Sequence, residues 1–355
     1  MRIMNKTKLC LALASAILAP VLAHAAPAAG IGGTYQVVAK YPLTGAEGWD
    51  YVSFDAKRSR LFISRGKHVQ VMDTKTGKLV GEIADTDGVH GIVFDQDLKL
   101  GFTSNGKANT VTVFNLDTLA TVDTIKVSGT KPDFIYFEPN KKRVYTSNAD
   151  SDNISAIDPV TRKVVATIAL EGNPEAMVSD KDGSHLFVNL ENKNELAKID
   201  VKAGKVVATW PMPACDEPTG IAFDKKHDRV FSVCHSANMM VVDAKTGNIV
   251  SQVATDKFAD AAYFDEKQSL IYSTDGEGAL MVIHQDKPDA YTVQSKVATM
   301  PGAKTLAVDP KTHRAYTVSA QFGPAPAPTA ENPHPRGPVL ADTVVVLVAE
   351  PKAGK

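Results

Sequence analysis

Seven polar residues recur at one position in this chain: Asp50, His90, Asp133, Glu175, Thr219, Asp260 and Lys304 each stand five residues ahead of an acidic residue that closes a short apolar strand. If one fold position gathers them, carboxylates and an imidazole meet around a single opening. Hard cations take carboxylate and amide oxygens, so Ca²⁺ or Mg²⁺ fits such a ring, and His90 admits Zn²⁺ or Mn²⁺. Glu175, Asp260, Asp133 and His90 are the candidate metal ligands. Crowded carboxylates also raise one another's pKa values, a common property of functional sites. The alternative is a ring of polar groups that only hydrates a channel, and Lys304 neutralises charge from inside it. A second recurring position, ten residues after each acidic marker, holds Arg65, Asn105, Asn148, Leu190, Cys234, Asp275 and Ser319. Arg65, Asn105 and Asn148 join the candidate ligand-binding set, as does His235. Asn is also an ordinary turn residue, and His235 reads equally as a turn histidine.

The elements that must position these residues follow from the period. The acidic markers are Asp55, Asp95, Glu138, Asp180, Asp224, Asp265 and Asp309, at spacings of 40, 43, 42, 44, 41 and 44. After each comes a strand with an aromatic residue, then a strand ending in Asp or Asn, as in Val69–Asp73 and Met239–Asp243, then a turn such as Thr76-Gly77-Lys78 and a fourth strand. Four short strands repeated at this period predict an all-β, seven-bladed propeller with four antiparallel strands per blade. Runs apolar on both parities, such as Gly91–Phe94, suit sheets covered on both faces. The last unit lacks a fourth strand, and Tyr35–Lys40 resembles one, so the N-terminal strand is expected to close the last blade. That removes an open sheet edge. Residues 321–342 form a Pro-rich insertion in the last unit, either a plain surface loop or a cover for one mouth.

Residues 1–25 read as a cleaved signal peptide: Arg2, Lys6 and Lys8, an apolar run from Leu9 to Leu22, then Ala23-His24-Ala25. The propeller is expected over 34–349 as a single domain, periplasmic or secreted, with no membrane span. Without its three leader cations the chain has 36 basic against 40 acidic residues, net −4. That balance argues against nucleic acid as the main partner. Cys215 and Cys234 are expected to form a disulfide, since antiparallel pairing brings the start of one strand to the end of the next. There is no Cys-x-x-Cys-His, no Gly-x-Ser-x-Gly and no Gly-rich phosphate loop.

Arg143-Val-Tyr-Thr-Ser-Asn148 and Arg229-Val-Phe-Ser-Val-Cys234, each followed by a strand ending in Ile-Asp or Val-Asp, resemble the YVTN-type repeats of exported bacterial β-propellers, the YncE-like family. The resemblance spans roughly residues 34–349 and implies the propeller fold. It carries no catalytic residue, because the shared motif is structural. The leading expectation is a monomeric, non-catalytic scaffold that binds a small ligand or a periplasmic protein through one channel mouth. A metal-dependent hydrolase of the lactonase kind at the same mouth is the alternative. The family resemblance alone suggests a third role, as partner of a periplasmic redox system.

Overall fold

The computed structural model describes residues 34–329 and 335–352. The expected signal peptide, residues 1–25, lies outside the described residues. The acidic markers act first, on the turns. Asp55 accepts the backbone N–H groups of Lys57 and Arg58 at 3.0 and 3.3 Å. Asp95, Asp224 and Asp265 repeat this geometry. The Asp or Asn ending the third strand of the first five repeats does the same in its own turn; Asp73 accepts from Lys75 and Thr76, Asn115 from Asp117 and Thr118. An Asx side chain that holds its own turn makes a tight hairpin, which is why these residues recur.

The hairpins build seven four-stranded antiparallel sheets. Blade 1 is β2 (Val52–Asp55), β3 (Arg60–Arg65), β4 (His68–Asp73) and β5 (Lys78–Ile83). Blade 2 is β6 (Val89–Asp95), β7 (Leu100–Asn105), β8 (Thr110–Asn115) and β9 (Thr121–Lys126). Blade 3 is β10 (Pro132–Glu138), β11 (Arg143–Asn148), β12 (Asn153–Asp158) and β13 (Lys163–Ala169). Blade 4 is β14 (Pro174–Ser179), β15 (His185–Leu190), β16 (Glu195–Asp200) and β17 (Lys205–Pro211). Blade 5 is β18 (Pro218–Asp224), β19 (Arg229–Cys234), β20 (Asn238–Asp243) and β21 (Ile249–Ala254). Blade 6 is β22 (Ala259–Asp265), β23 (Leu270–Asp275), β24 (Ala279–Lys287) and β25 (Ala290–Ala298). Blade 7 runs β26 (Leu306–Val308), β27 (Ala315–Ser319), β28 (Val345–Pro351) and, outermost, β1 (Tyr35–Pro42). Helical structure among the described residues is confined to two three-residue 3₁₀ turns.

The innermost strands β2, β6, β10, β14, β18, β22 and β26 touch in sequence, and β26 returns to β2, so the ring is closed. The core is divided accordingly: seven buried apolar clusters, one in each gap between neighbouring blades. Each blade is thus apolar on both faces because each face meets another blade. β1 pairs with β28 from Tyr35↔Pro351 to Pro42↔Val345, as the missing fourth strand required. β26 starts at Leu306 rather than at Lys304, because Lys304 and Thr305 turn out of the ladder toward the channel, where Thr305 donates to the Asp50 carbonyl.

Candidate functional site

The recurring position sits at a break in each innermost strand. Cross-strand register shifts between Val89 and Ile92, Pro132 and Ile135, Pro174 and Met177, Pro218 and Ile221, and Ala259 and Ala261. Those intervals contain His90, Asp133, Glu175, Thr219 and Asp260. A bulge frees a residue from the ladder and re-aims its side chain. Here the same irregularity recurs in five blades: Asp133, Glu175 and Asp260 line the mouth, His90 joins Asp50 beside it, and Thr219 stays buried against the Val233 and Ala259 carbonyls.

The freed backbone is held from next door. Ser104 on blade 2 donates to the carbonyl of Asp133 on blade 3. Ser147 donates to the Glu175 carbonyl at 2.6 Å, Asn189 Nδ2 to that of Thr219 at 2.7 Å, and Thr274 to that of Lys304 at 2.6 Å. Where this position is apolar, at Val233, Thr219 itself reaches the Ala259 carbonyl at 2.6 Å. These clasps are functional positions that the sequence reading missed; the penultimate residue of each second strand runs Ser, Ser, Ser, Asn, Val, Thr, Val and carried the signal. Ser147→Ala leaves the Glu175 carbonyl without its partner. We expect it to lower unfolding free energy by about 1–3 kcal/mol in urea titration, the range for an orphaned buried acceptor. A variant indistinguishable from wild type would remove the clasp from the account.

At the mouth, His90 Nδ1 lies 2.6 Å from Asp50 Oδ2 and 3.5 Å from Asp133 Oδ1. Lys304 Nζ lies 2.7 Å from Asp260 and 3.8 Å from Asp50. Glu175 accepts from the Tyr51 hydroxyl at 3.0 Å and Glu191 receives the Asn173 amide at 3.4 Å. His235 joins Glu217 at the rim and sets its ring edge-on to Phe258, 5.7 Å between centroids. Asp50, Asp133, Glu175, His235, Asp260 and Lys304 line a single cavity of about 670 Å³. That is within the roughly 300–1,000 Å³ of small-molecule sites. Side-chain atoms of Asp50, His90 and Asp133 lie within 4.8 Å of one another, a spacing able to hold a divalent ion.

The charges are unequally served. Burial raises the Glu175 carboxyl well above its usual range, with Asp133, Glu191 and Asp260 adding to the rise. Burial, then Asp50, pushes Asp133 up to about 6. Burial opposes charge on Asp50 as well, but Lys304 and His90 outweigh it and hold this carboxyl low. His90 is raised: desolvation works against its charged form, and its bond to Asp50 prevails. The sign of the stability effect follows. An acid whose folded pKa lies above its unfolded value is stabilised when protonated, and stability falls as pH rises through the interval between the two. A histidine raised by a carboxylate likewise loses stability as pH rises through its folded pKa. Asp50 acts oppositely, but only below the ordinary carboxylate pKa of about 4. Between about pH 4 and 7, Asp133→Asn with Glu175→Gln should therefore flatten the fall in melting temperature with rising pH. Parallel curves for variant and wild type in scanning calorimetry would contradict this assignment.

The second column is placed differently. Asn148 pairs across the sheet with Pro132, and Asn105 with Val89, each one residue before the first-column residue. That offset turns the side chains back into their blades. Arg65 is fully buried, donating to Gln70 Oε1 at 2.6 Å and to the Glu47 carbonyl at 3.0 and 3.2 Å. Asn148 donates to Asn153 and Ser155 at 2.7 and 2.8 Å, and Asn105 lies among the hydroxyls of Thr103, Thr110 and Thr112. These three do not line the mouth cavity, whereas His235 does.

Two further features frame the mouth. Cys215 and Cys234 form a disulfide with Cα atoms 5.2 Å apart, beside Glu217 and His235. The described parts of the 321–342 insertion fold back through a Phe322↔Val339 bridge, with Gly323 N–H on the Pro338 carbonyl at 2.8 Å. Phe322 packs on Trp49 at 5.9 Å between rings and carries the Arg336 guanidinium 5.1 Å above its own. Arg336 reaches the mouth cavity. No helix among the described residues is long and apolar enough to cross a membrane.

Comparison with known proteins matches no family model. YncE of Salmonella typhimurium is 24% identical over 186 residues, 51% of this chain and 49% of that protein. Antigen Lp49 of Leptospira interrogans is 33% identical over 87 residues, 24% of this chain and 19% of that protein. The chain thus spans about half the length of YncE, and less of Lp49. Among solved structures, a chain of Kuenenia stuttgartiensis hydrazine synthase superposes with a TM-score of 0.68 at 18% identity, covering 77% of this chain and 93% of its own. A chain of the mitotic checkpoint complex gives 0.71 at 13% identity, covering 88% and 96%. At such identities the structural matches speak for the fold alone. The chain is a seven-bladed β-propeller, and its repeat and these relatives make it similar to YncE over half its length.

Proposed function

We propose that this propeller is an exported, non-catalytic binding protein whose charged mouth takes a small ligand bearing a cationic group. The observation that carries the reading is the unmatched charge on one side of the mouth. Lys304 serves Asp260 and Asp50. Among the described residues Glu175 meets only a tyrosine hydroxyl and Glu191 an asparagine amide, and burial raises both. A ligand ammonium placed there restores the charged form of Glu175 and is repaid by a desolvated ion pair. Calorimetric titration with butane-1,4-diamine is expected to show saturable binding, with butane-1,4-diol inert. Glu175→Gln should weaken the diamine by about tenfold or more. Wild type that binds diamine and diol alike, or neither, would overturn the reading.

The cluster Asp50, His90 and Asp133 supports a second reading, a divalent ion at the same mouth serving hydrolysis. Zn²⁺ or Ca²⁺ binding abolished by His90→Ala would favour it. Lys304, 3.8 Å from Asp50, opposes a cation there. Export rests on the leader-like residues 1–25 and on the Cys215–Cys234 bridge, which suits an oxidising compartment. Periplasmic protein is expected to begin at Ala26 on N-terminal sequencing.

A further inference from the structure

A repeat protein supplies its own controls, because one position can be compared across blades. Between blades 4 and 5, Trp210 lies over the turn glycine Gly247; a Cβ added there would sit 2.3 Å from the indole. Trp210 stacks on Phe187 with ring centroids 6.2 Å apart, and Lys198 Nζ lies 5.6 and 5.8 Å from the two rings. Between blades 7 and 1, Tyr41 covers Gly77 in the same manner, 2.2 Å from a built Cβ. Between blades 3 and 4 the four equivalent positions are Ile168, Gly204, Tyr145 and Ala156. Tryptophan has become isoleucine and lysine has become alanine. A Cβ on Gly204 meets nothing within 4 Å. All four residues line an open groove of about 740 Å³.

The rim of the groove has a definite charge. Lys141, Arg143 and Lys202 border it against one carboxylate, Asp200. Arg143 is engaged by Asp158 at 2.8 Å. Lys141 and Lys202 are exposed and make no ion pair at contact distance among the described residues. Tyr145, Ala156 and Ile168 close the floor as part of the buried core, so the accessible apolar surface lies over Gly204, between Val165 and Val201.

We propose that the groove between blades 3 and 4 binds a small planar aromatic acid, its ring seated over Gly204 as Trp210 sits over Gly247 and its carboxylate held by Lys141 and Lys202. The site is separate from the channel mouth and does not depend on how the mouth is used. Ring burial over Gly204, against Val165 and Val201, supplies affinity, and the two ammonium groups select an anion over a cation of the same shape.

The probes are indole-3-propionate, indole and tryptamine, titrated by saturation-transfer NMR and calorimetry against the full mature chain. Indole-3-propionate is expected to bind tightest and tryptamine weakest. Ile168→Trp rebuilds the filling that blade 4 already has; it should raise the melting temperature and abolish binding of all three probes. Lys141→Gln with Lys202→Gln, on the surface, should weaken indole-3-propionate about tenfold, to the level of indole. Glu175→Gln at the mouth should leave this binding unchanged. Wild type without saturable binding, tryptamine equal to indole-3-propionate, or a folded Ile168→Trp with unaltered affinity would each overturn the proposal. Should Ile168→Trp fail to fold, the double lysine variant decides: unchanged affinity for indole-3-propionate overturns it.

Discussion

Deleting residues 34–42 is expected to lower stability by several kcal/mol and to produce a protein that self-associates. The strand contributes seven paired positions to the β28 edge. It also carries Tyr35, 5% exposed, whose hydroxyl lies 2.6 Å from that of Tyr272 and whose ring meets it edge-on at 5.5 Å. Truncating a buried aromatic to alanine costs about 3–5 kcal/mol, so Tyr35→Ala alone should approach that range. Losing the whole strand adds the backbone ladder and exposes β28 as an unpaired edge, a template for pairing with other chains. Urea denaturation measures the first effect and size-exclusion chromatography the second. A truncated monomer within about 0.5 kcal/mol of the parent, the scale of a neutral surface change, would mean that β1 does not close the ring.

Replacing Cys215 and Cys234 together by alanine should cost about 3 kcal/mol, the chain-entropy expectation for a loop of this size. The bridge spans a sequence separation of 19. Both sulfur-bearing residues are fully buried, so reductant should act on the unfolded chain and scarcely on the folded one. Wild type denatured in urea with dithiothreitol should therefore converge on the stability of the double variant, while the native protein stays oxidised. Identical midpoints with and without reductant would show that the bridge constrains nothing.

How much of this was legible in the residues themselves differs between fold and site. The blades were readable because Asp55, Asp95 and their equivalents do a local job, holding a turn, that repeats with the chain. Closure was readable from an arithmetic lack, one strand missing at one end and one spare at the other. The convergence of Asp50, His90, Asp133, Glu175, Asp260 and Lys304 was readable as a column, yet their pairing was not. That Lys304 chooses Asp260 over Glu175 depends on ring geometry that no local pattern encodes. Even antiparallel register would set Arg65, Asn105 and Asn148 beside the mouth. In blades 2 and 3 the bulge offsets that register by a residue and sends Asn105 and Asn148 into their blades, while Arg65 is held inside by Gln70 and the Glu47 carbonyl. The clasps at Ser104 and Ser147 were hidden because a serine in a strand has no local signature; its partner sits on the next blade.

The Velcro-like seventh blade fixes an order of events during synthesis. Tyr35 leaves the ribosome at the start of the ring and its partner Pro351 at the very end. Blades 1 to 6 are each continuous in sequence and can form as they emerge, hairpin by hairpin. β1 must wait unpaired through all of this, since its partner strand is the last to be made. Contacts of such long sequence separation are slow to form, so ring closure is expected to be the slow step in refolding kinetics. A strand held waiting is also one that a neighbouring chain can capture, giving a swapped dimer in place of a closed ring. Crowded synthesis should favour the swap and dilution the ring. The backbone bond from Lys352 N–H to the Thr34 carbonyl, 2.8 Å, marks where a peptide linker could join the two ends and, with new termini in another turn, make every blade but one local.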